Sequence, residues 1–216
     1  MNKWKLKDGT ARGTRILTGE SAKRRRYMLT SCQRIAEDNG FEEIVIPSIE
    51  LSLVYTEKMG KEVLEQMYEF KDKKGRSMSL RPEGTATLQI LARTRWRQLK
   101  DVKLWYETSC WRYERPQKGR YREFTQFGIE ILNPTKDYTD QLISLSEKMI
   151  ATCTTKYEVK RSVARGLDYY VSDGFEIIVP SLGAQKQVLG GGSYAEGIGF
   201  AIGIDRLMLV EKTGVE

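Results

Sequence analysis

Residues 112–124, RYERPQKGRYREF, combine dense positive charge with aromatic rings. Five of these thirteen residues are Lys or Arg, only two are acidic, and three are aromatic. The planar fork of a guanidinium group matches phosphate oxygens, and aromatic rings stack on bases. This combination is unsuited to a buried core, and a solvated loop does not need the rings. The stretch therefore predicts a nucleotide site.

The sequence contains no histidine, which limits the chemistry that such a site can perform. An imidazole base, a Ser-His-Asp triad and a His-ligated metal are all excluded. Chemistry at such a site would have to rely on arginines, carboxylates, hydroxyl groups and Mg²⁺. Cys32, Cys110 and Cys153 lie far apart without a CxxC pair, which predicts reduced thiols. No metal site built from His or Cys is therefore expected.

The composition is that of an ordinary globular protein. The chain has 216 residues, of which 40% are apolar and 30% charged, so we expect one domain over 1–216. No apolar run approaches the roughly 20 residues of a membrane span, and the N-terminus lacks a signal-peptide core. These features predict a cytoplasmic protein without membrane association.

Positive charge is concentrated at the N-terminus. Residues 1–26 hold nine Lys or Arg against two acids, an excess equal to the whole net charge of +7. A basic arm over residues 1–20, continued by Arg24, Arg25 and Arg26, could contact a nucleic-acid backbone. A solvated helix face preceded by a flexible tail would have the same composition, and the sequence leaves both open.

The hydrophobic pattern predicts an α+β fold with a mostly antiparallel sheet flanked by helices. Helices are expected near 21–39, 85–99 and 137–151, and a strand is expected to end at Pro47. A hairpin is predicted around Gly75, and a longer hairpin around Pro116 and Gly119. In its second strand Phe124, Gln126 and Glu130 share one face, and the alternate apolar residues share the other.

Six segments occur in the order typical of class II histidyl-tRNA synthetases. They are FEEIVIPSIE, LRPEGT, WRYERPQKGRYREFTQFGIEIL, ARGLDYY, GGGSY and GFAIGIDRLML. The chain resembles the catalytic core of this family over nearly its full length, and RGLDYY resembles the family's histidine-recognition signature. The resemblance implies the class II fold, ATP-dependent activation of histidine and its transfer to tRNA. It also implies Mg²⁺ with the ATP, and a homodimer whose interface includes the helix near 21–39 and the strand ending at Pro47.

The resemblance assigns roles in ATP binding. Arg112 and Arg165 would contact the α-phosphate and act as catalytic residues, and Glu114 would accept from the adenine amino group. Arg120, with Arg122 as a further candidate, would reach the outer phosphates. Phe124 would stack on one face of adenine, and Arg206 would cover its other face or bind the γ-phosphate.

A second group of residues is implied in histidine binding. Acids, amides and hydroxyls suit an imidazole, because both ring nitrogens can be hydrogen-bonded, and the α-ammonium needs a carboxylate. Arg165 would also approach the histidine carboxylate. The implied residues are Glu83, Thr85, Gln126, Glu130, Arg165, Tyr170 and Tyr194.

Several departures from the family pattern bear on function. Thr125 stands where the family has histidine, and Ser193 and Ala195 replace a charged pair. Neither the insertion domain nor the C-terminal anticodon-binding domain is recognisable, so we expect tRNA selection through the acceptor stem. Two alternatives stay open: a non-catalytic paralogue acting as a regulatory subunit, and a histidine-activating enzyme with an acceptor other than tRNA. Retention of Arg112, Arg120, Arg165 and Arg206 favours an enzyme.

Overall fold

The structure is a computed structural model that describes residues 9–56, 61–163, 170–171 and 174–211. Its main sheet has seven strands among these residues, in the order β1-β5-β6-β10-β9-β8-β7. The strands are β1 (Glu42–Glu43), β5 (Val102–Trp111), β6 (Glu123–Leu132), β7 (Glu158–Val163), β8 (Gly174–Ile178), β9 (Gln187–Tyr194) and β10 (Gly197–Gly203). Only the β1–β5 pair is parallel, which confirms the predicted α+β fold with a mostly antiparallel sheet.

A smaller sheet is formed by β2 (Ile49–Leu51), β4 (Ser77–Leu80) and β3 (Tyr68–Lys71). The predicted hairpin around Gly75 is confirmed, and this glycine has the positive φ of 80° that suits a tight turn. Glu50 and Ser79 are paired across β2 and β4 and are both buried, whereas Ile49 and Leu51 are exposed. The small sheet therefore directs polar side chains inward and apolar ones outward.

The helices lie around these sheets. They are α1 (Gly19–Asp38), α2 (Leu53–Thr56), α3 (Lys61–Glu65), α4 (Thr85–Arg93), α5 (Thr139–Ala151) and α6 (Ile204–Leu207), with a 3-10 segment at Pro180–Gln185. A continuous core packs α1 and α5 against the main sheet, through residues such as Cys32, Phe127 and Met149. No helix of the described residues is long and apolar enough to cross a membrane.

The strand predicted to reach Pro47 is shorter than expected. It pairs only over Glu42–Glu43 in β1, after which the chain crosses to the small sheet. The cause is the buried guanidinium of Arg81, which donates to the carbonyl oxygens of Ile46 at 2.8 Å and of Pro47. Because these carbonyl oxygens already accept hydrogen bonds from the Arg81 side chain, they need no partner on a neighbouring strand.

The helix predicted over 85–99 also ends early, at Arg93. The Thr94 hydroxyl donates to the Ile90 carbonyl at 2.5 Å, and the Trp96 amide reaches back five residues to Leu91. The Asn133 side chain then donates to the Trp96 carbonyl at 3.0 Å. Local bonds and this long-range bond replace the helical pattern.

Candidate active site

A cavity of about 310 Å³ is lined by residues of β6, β10 and β9 in the main sheet. Its lining includes all the predicted site residues that the structure describes, except the further candidate Arg122. These are Glu83, Thr85, Arg112, Glu114, Arg120, Phe124, Gln126, Glu130, Tyr170, Tyr194 and Arg206. Arg165 lies outside the described residues. The alternation predicted for β6 is confirmed, because Phe124, Gln126 and Glu130 line the cavity while Phe127, Ile129 and Ile131 are in the core.

Glu130 is the centre of a buried polar cluster in this cavity. Its two carboxylate oxygens accept hydrogen bonds from the Thr85 hydroxyl and the Tyr194 hydroxyl, both at 2.7 Å. Burial raises the pKa of Glu130 to about 8, and these two bonds only partly offset the effect. The site therefore contains a carboxyl group that can exchange a proton near neutral pH.

Gly199 on β10 makes room for this carboxylate. A Cβ atom at that position would lie 1.8 Å from Glu130 Oε2 and 2.4 Å from the Ile129 carbonyl oxygen. No side chain fits there, so the glycine is required by the position of Glu130.

Glu83 fixes the start of α4 beside the cavity. Its carboxylate oxygens accept the backbone amides of Thr85 and Ala86, both at 2.7 Å. Burial is the largest influence on its pKa and raises it, against the lowering effect of these bonds. Because α4 begins at Thr85, this cap also positions the hydroxyl that contacts Glu130.

Three arginines converge on the side of the cavity formed by the 112–124 hairpin. The Arg112 guanidinium donates to the Pro82 carbonyl at 2.9 Å and lies 5.4 Å from the centre of the Phe124 ring. Arg120 is paired with Glu114 at 2.7 Å. Burial, followed by repulsion from Arg120, lowers the pKa of Arg206. Such crowding of like charges favours a bound anion.

Arg206 also holds the hairpin loop against the sheet. Its guanidinium donates to the carbonyl oxygens of Gly119 and Gln187, both at 3.0 Å. Arg122 does not line the cavity. It donates to the Glu114 carbonyl at 3.0 Å and lies 3.9 Å from the centre of the Tyr113 ring.

The sequence-based prediction missed several lining residues, of which Asp205 is the most connected. The Thr125 amide donates to Asp205 Oδ2 at 2.5 Å, and Arg15 donates to Asp205 Oδ1. Tyr121 and Gln187 line the cavity as well. Asp205 precedes Arg206 directly, and this adjacency was the one signal that could have identified it.

Several basic residues of the described N-terminal region have partners within the protein. Arg24 donates to the Val210 carbonyl, and Arg25 is paired with Glu107 at 2.9 Å and donates to the Thr125 hydroxyl at 3.1 Å. Arg26 is exposed. Of these three arginines, Arg24 and Arg25 are held by contacts within the protein, whereas Arg26 faces solvent.

Comparisons with known proteins identify the family of the chain. The family model for histidyl-tRNA synthetase matches residues 13–160. The histidine–tRNA ligase of Archaeoglobus fulgidus is 28% identical over an alignment that covers 91% of this chain and 74% of the relative. The alignment is 303 positions long, but it includes only about 197 residues of this chain. About a hundred positions of the alignment are therefore gaps in this chain.

Solved structures show the same fold. Apo histidyl-tRNA synthetase of S. aureus superposes with a TM-score of 0.77 at 25% identity, covering 93% of this chain and 69% of that one. A histidine–tRNA ligase subunit of Alicyclobacillus acidocaldarius gives 0.79 at 16% identity, covering 96% and 98% of the two chains. The fold is that of class II aminoacyl-tRNA synthetases, and the family model spans well over half of the residues. The chain belongs to the histidyl-tRNA synthetase family.

Proposed function

We propose that this protein activates histidine with ATP and transfers it to tRNA. The observation that carries the proposal is the meeting of two predicted subsites in one cavity. Three arginines and Phe124 lie on the hairpin side, and Glu130 with its two hydroxyl donors lies farther along β6. Phe124 and Glu130 are six residues apart, or about 20 Å along an extended strand. This length suits a nucleotide joined to an amino acid.

The proposed first step is attack of the histidine carboxylate on the α-phosphate of ATP, which enters as its Mg²⁺ complex. The bond to the β-phosphate breaks and pyrophosphate leaves. No proton is transferred, so the cavity needs positive charge and alignment rather than a base. Arg112 stabilises charge on the α-phosphate, with Arg165 as its proposed partner. Arg120 and Arg206 attract the outer phosphates, and Phe124 stacks on adenine next to Glu114.

Glu130 is the proposed recognition group for the imidazole ring. Both of its oxygens already accept from hydroxyl groups, and a carboxylate oxygen can accept a further bond from a ring N–H. Gln126 and Tyr170 line the same cavity and complete the pocket. Glu83 is the proposed partner of the α-ammonium, in addition to its role at the start of α4.

The test of activation is ATP–pyrophosphate exchange with each of the twenty amino acids. We expect exchange with histidine alone, and a loss of about 10²–10³ in rate for Arg112→Gln, as for other donors to a developing anion. Arg115→Gln is the matched control, because Arg115 is an exposed arginine of the same hairpin and does not line the cavity. Absence of exchange in the folded protein would favour the regulatory paralogue.

Transfer to tRNA needs a separate experiment. We propose that selection relies on the acceptor stem, with the exposed loop residues Gln117 and Lys118 beside the cavity as contacts. A hairpin RNA reproducing the acceptor stem should then be charged about as well as full-length tRNA, and anticodon changes should have little effect. Strong anticodon dependence would show that another domain or subunit supplies recognition. Activation without any charging would indicate an acceptor other than tRNA.

The remaining features of the proposal concern the molecule as a whole. We propose that residues 1–216 form one catalytic domain, that it acts as a homodimer, and that it works in the cytosol, where ATP and tRNA are available. The exposed apolar face of the small sheet supports the dimer.

A further inference from the structure

We propose that Arg15 is a positioning residue of the ATP subsite. Residues 9–18 of the basic arm, called the arm below, would then stabilise the hairpin side of the cavity by packing against it from outside the cavity. The inference rests on the proposed function, because the subsite it supports is the one assigned there to ATP. Four groups carry the argument: Asp205, Tyr121, Arg122 and Pro116.

Arg15 contacts two residues that line the cavity. Its guanidinium is paired with the Asp205 carboxylate, and its central carbon lies 3.5 Å from the centre of the Tyr121 ring. Tyr121 belongs to the hairpin, and Asp205 lies on α6 next to Arg206. One side chain from the arm thus joins the two elements that carry the proposed phosphate ligands.

Asp205 also connects α6 to strand β6 of the main sheet. Its second carboxylate oxygen accepts the Thr125 amide at 2.5 Å, and Arg206 reaches from the same helix to the Gly119 carbonyl at 3.0 Å. Both ends of the 119–125 segment are therefore hydrogen-bonded to α6. Arg15 adds a further link between α6 and this segment, through its contacts with Asp205 and Tyr121.

Gly13 provides a second attachment of the arm. Its carbonyl accepts the Arg122 amide at 2.8 Å, and its φ is +89°. A Cβ atom there would lie 2.8 Å from Arg122 Cγ and 2.9 Å from Pro116 Cγ. The close approach and the positive φ both require glycine, so the backbone of the arm packs directly on the hairpin.

Charge gives Arg15 a role beyond packing. Asp205 is 6% exposed and lines the cavity in which the phosphates are proposed to bind. A carboxylate in that place repels a polyanion unless a cation neutralises it, and in the described structure that cation is Arg15. Loss of Arg15 should therefore weaken ATP binding through both geometry and repulsion.

The test is the equilibrium affinity of the full chain for ATP and, separately, for histidine, by titration calorimetry. Arg15→Gln should raise the Kd for ATP about tenfold, the usual range for a lost bond to a charged group, and change the Kd for histidine less than about twofold. Arg12→Gln is the control, since Arg12 is an exposed arginine of the same arm. It should leave both constants unchanged.

Two further variants distinguish an effect of charge on ATP binding from an effect on folding. Asp205→Asn in the Arg15→Gln background keeps an oxygen for the Thr125 amide but removes the charge, and should restore most of the lost ATP affinity. Arg15→Lys keeps the charge without the planar group and should bind ATP with intermediate affinity. It also serves if Arg15→Gln does not fold, as judged by circular dichroism and thermal melting.

The outcomes distinguish this inference from the proposed function. If the wild-type chain binds no ATP, the proposed function fails and the inference fails with it. If the wild-type chain binds ATP and Arg15→Gln binds it equally well, only the inference is overturned. An equal loss of ATP and histidine affinity, or no recovery with Asp205→Asn, would show a general structural role and overturn it too.

Discussion

Glu130 makes the proposed histidine subsite sensitive to pH. Its pKa is about 8 in the folded protein, against an ordinary value of 4.5, because burial disfavours the charged form. Between these values the unfolded chain releases this proton and the folded chain retains it. The contribution to stability is therefore fully present below about pH 4.5 and is lost as the pH rises through about 8.

We expect Glu130→Gln to remove this pH dependence. Urea unfolding of the wild-type chain without ligands should give a stability that falls from pH 5 to pH 8 by more than that of the variant. The two free energies of unfolding should converge or cross toward high pH. Thr85→Val, which removes a hydroxyl donor that lowers the pKa of Glu130, should extend this decline to higher pH than in the wild type. Parallel curves for the wild type and Glu130→Gln would contradict a raised pKa.

The position of Glu130 can also be tested by adding one methyl group at Gly199. Gly199→Ala places a methyl group 1.8 Å from a carboxylate oxygen and 2.4 Å from a backbone oxygen, so the strand or the carboxylate must move. Overpacking of this kind costs about 1–3 kcal/mol, and histidine affinity should fall as Glu130 is displaced. Gly203→Ala on the same strand is the control, since its nearest atom would be 3.7 Å away. Equal stability of the two alanine variants would contradict the placement of Glu130.

Among the elements, α4 begins beside a buried carboxylate that is also a proposed ligand. The buried Glu83 caps α4, and Asp137, an exposed carboxylate, accepts the Thr139 amide at 2.8 Å at the start of α5. Glu83→Gln and Asp137→Asn each retain one acceptor oxygen. Both should lose up to about 1 kcal/mol of unfolding free energy, which is a typical cap contribution.

The two caps should differ in their effect on catalysis. Glu83→Gln should raise KM for histidine, because it changes both a proposed ligand and the position of Thr85. Asp137→Asn should leave KM unchanged, since α5 does not line the cavity. Pyrophosphate exchange as a function of histidine concentration measures both variants. An unchanged KM in Glu83→Gln would show that Glu83 caps α4 and does not bind histidine.

The same elements show what a sequence can and cannot predict. The β5–β6 hairpin was predictable, with its faces, because a period of two residues places Gln126 and Glu130 together whatever surrounds them. The end of β1 was not, because Arg81 takes the carbonyls of Ile46 and Pro47 from 34 or 35 positions away. The partner of Arg15 is 190 positions distant, so its charge looked like that of a solvated arm. Motif positions could be assigned from a resemblance, but long-range side-chain bonds could not.

At the scale of the whole molecule, the small sheet has an unusual orientation. Its cross-strand pairs place Ile49, Leu51, Phe70, Met78 and Leu80 on one face, where the first three are between 42% and 49% exposed. The opposite face buries Glu50, which accepts from the Thr87 hydroxyl at 2.5 Å. Apolar faces of this kind are typical of surfaces that another molecule covers.

A second copy of the chain is the proposed cover. The predicted interface consisted of α1 and the strand ending at Pro47, and β2 begins two residues after that proline. A two-fold axis would bring the same face of each protomer together and bury both. This moves the centre of the proposed interface from the residues before Pro47 to the small sheet that follows it.

Leu51→Asp tests this interface against a matched surface leucine. Leu51 is 47% exposed on β2, and Leu99 is 49% exposed in the turn after α4, outside the small sheet. Light scattering at micromolar concentration should give a dimer for the wild type and for Leu99→Asp. It should give a monomer for Leu51→Asp, because a dimer would bury two unpaired carboxylates against apolar side chains. A wild-type monomer would remove the dimer from the proposal, whereas a dimer that withstands Leu51→Asp would place the interface elsewhere, with α1 as the remaining candidate.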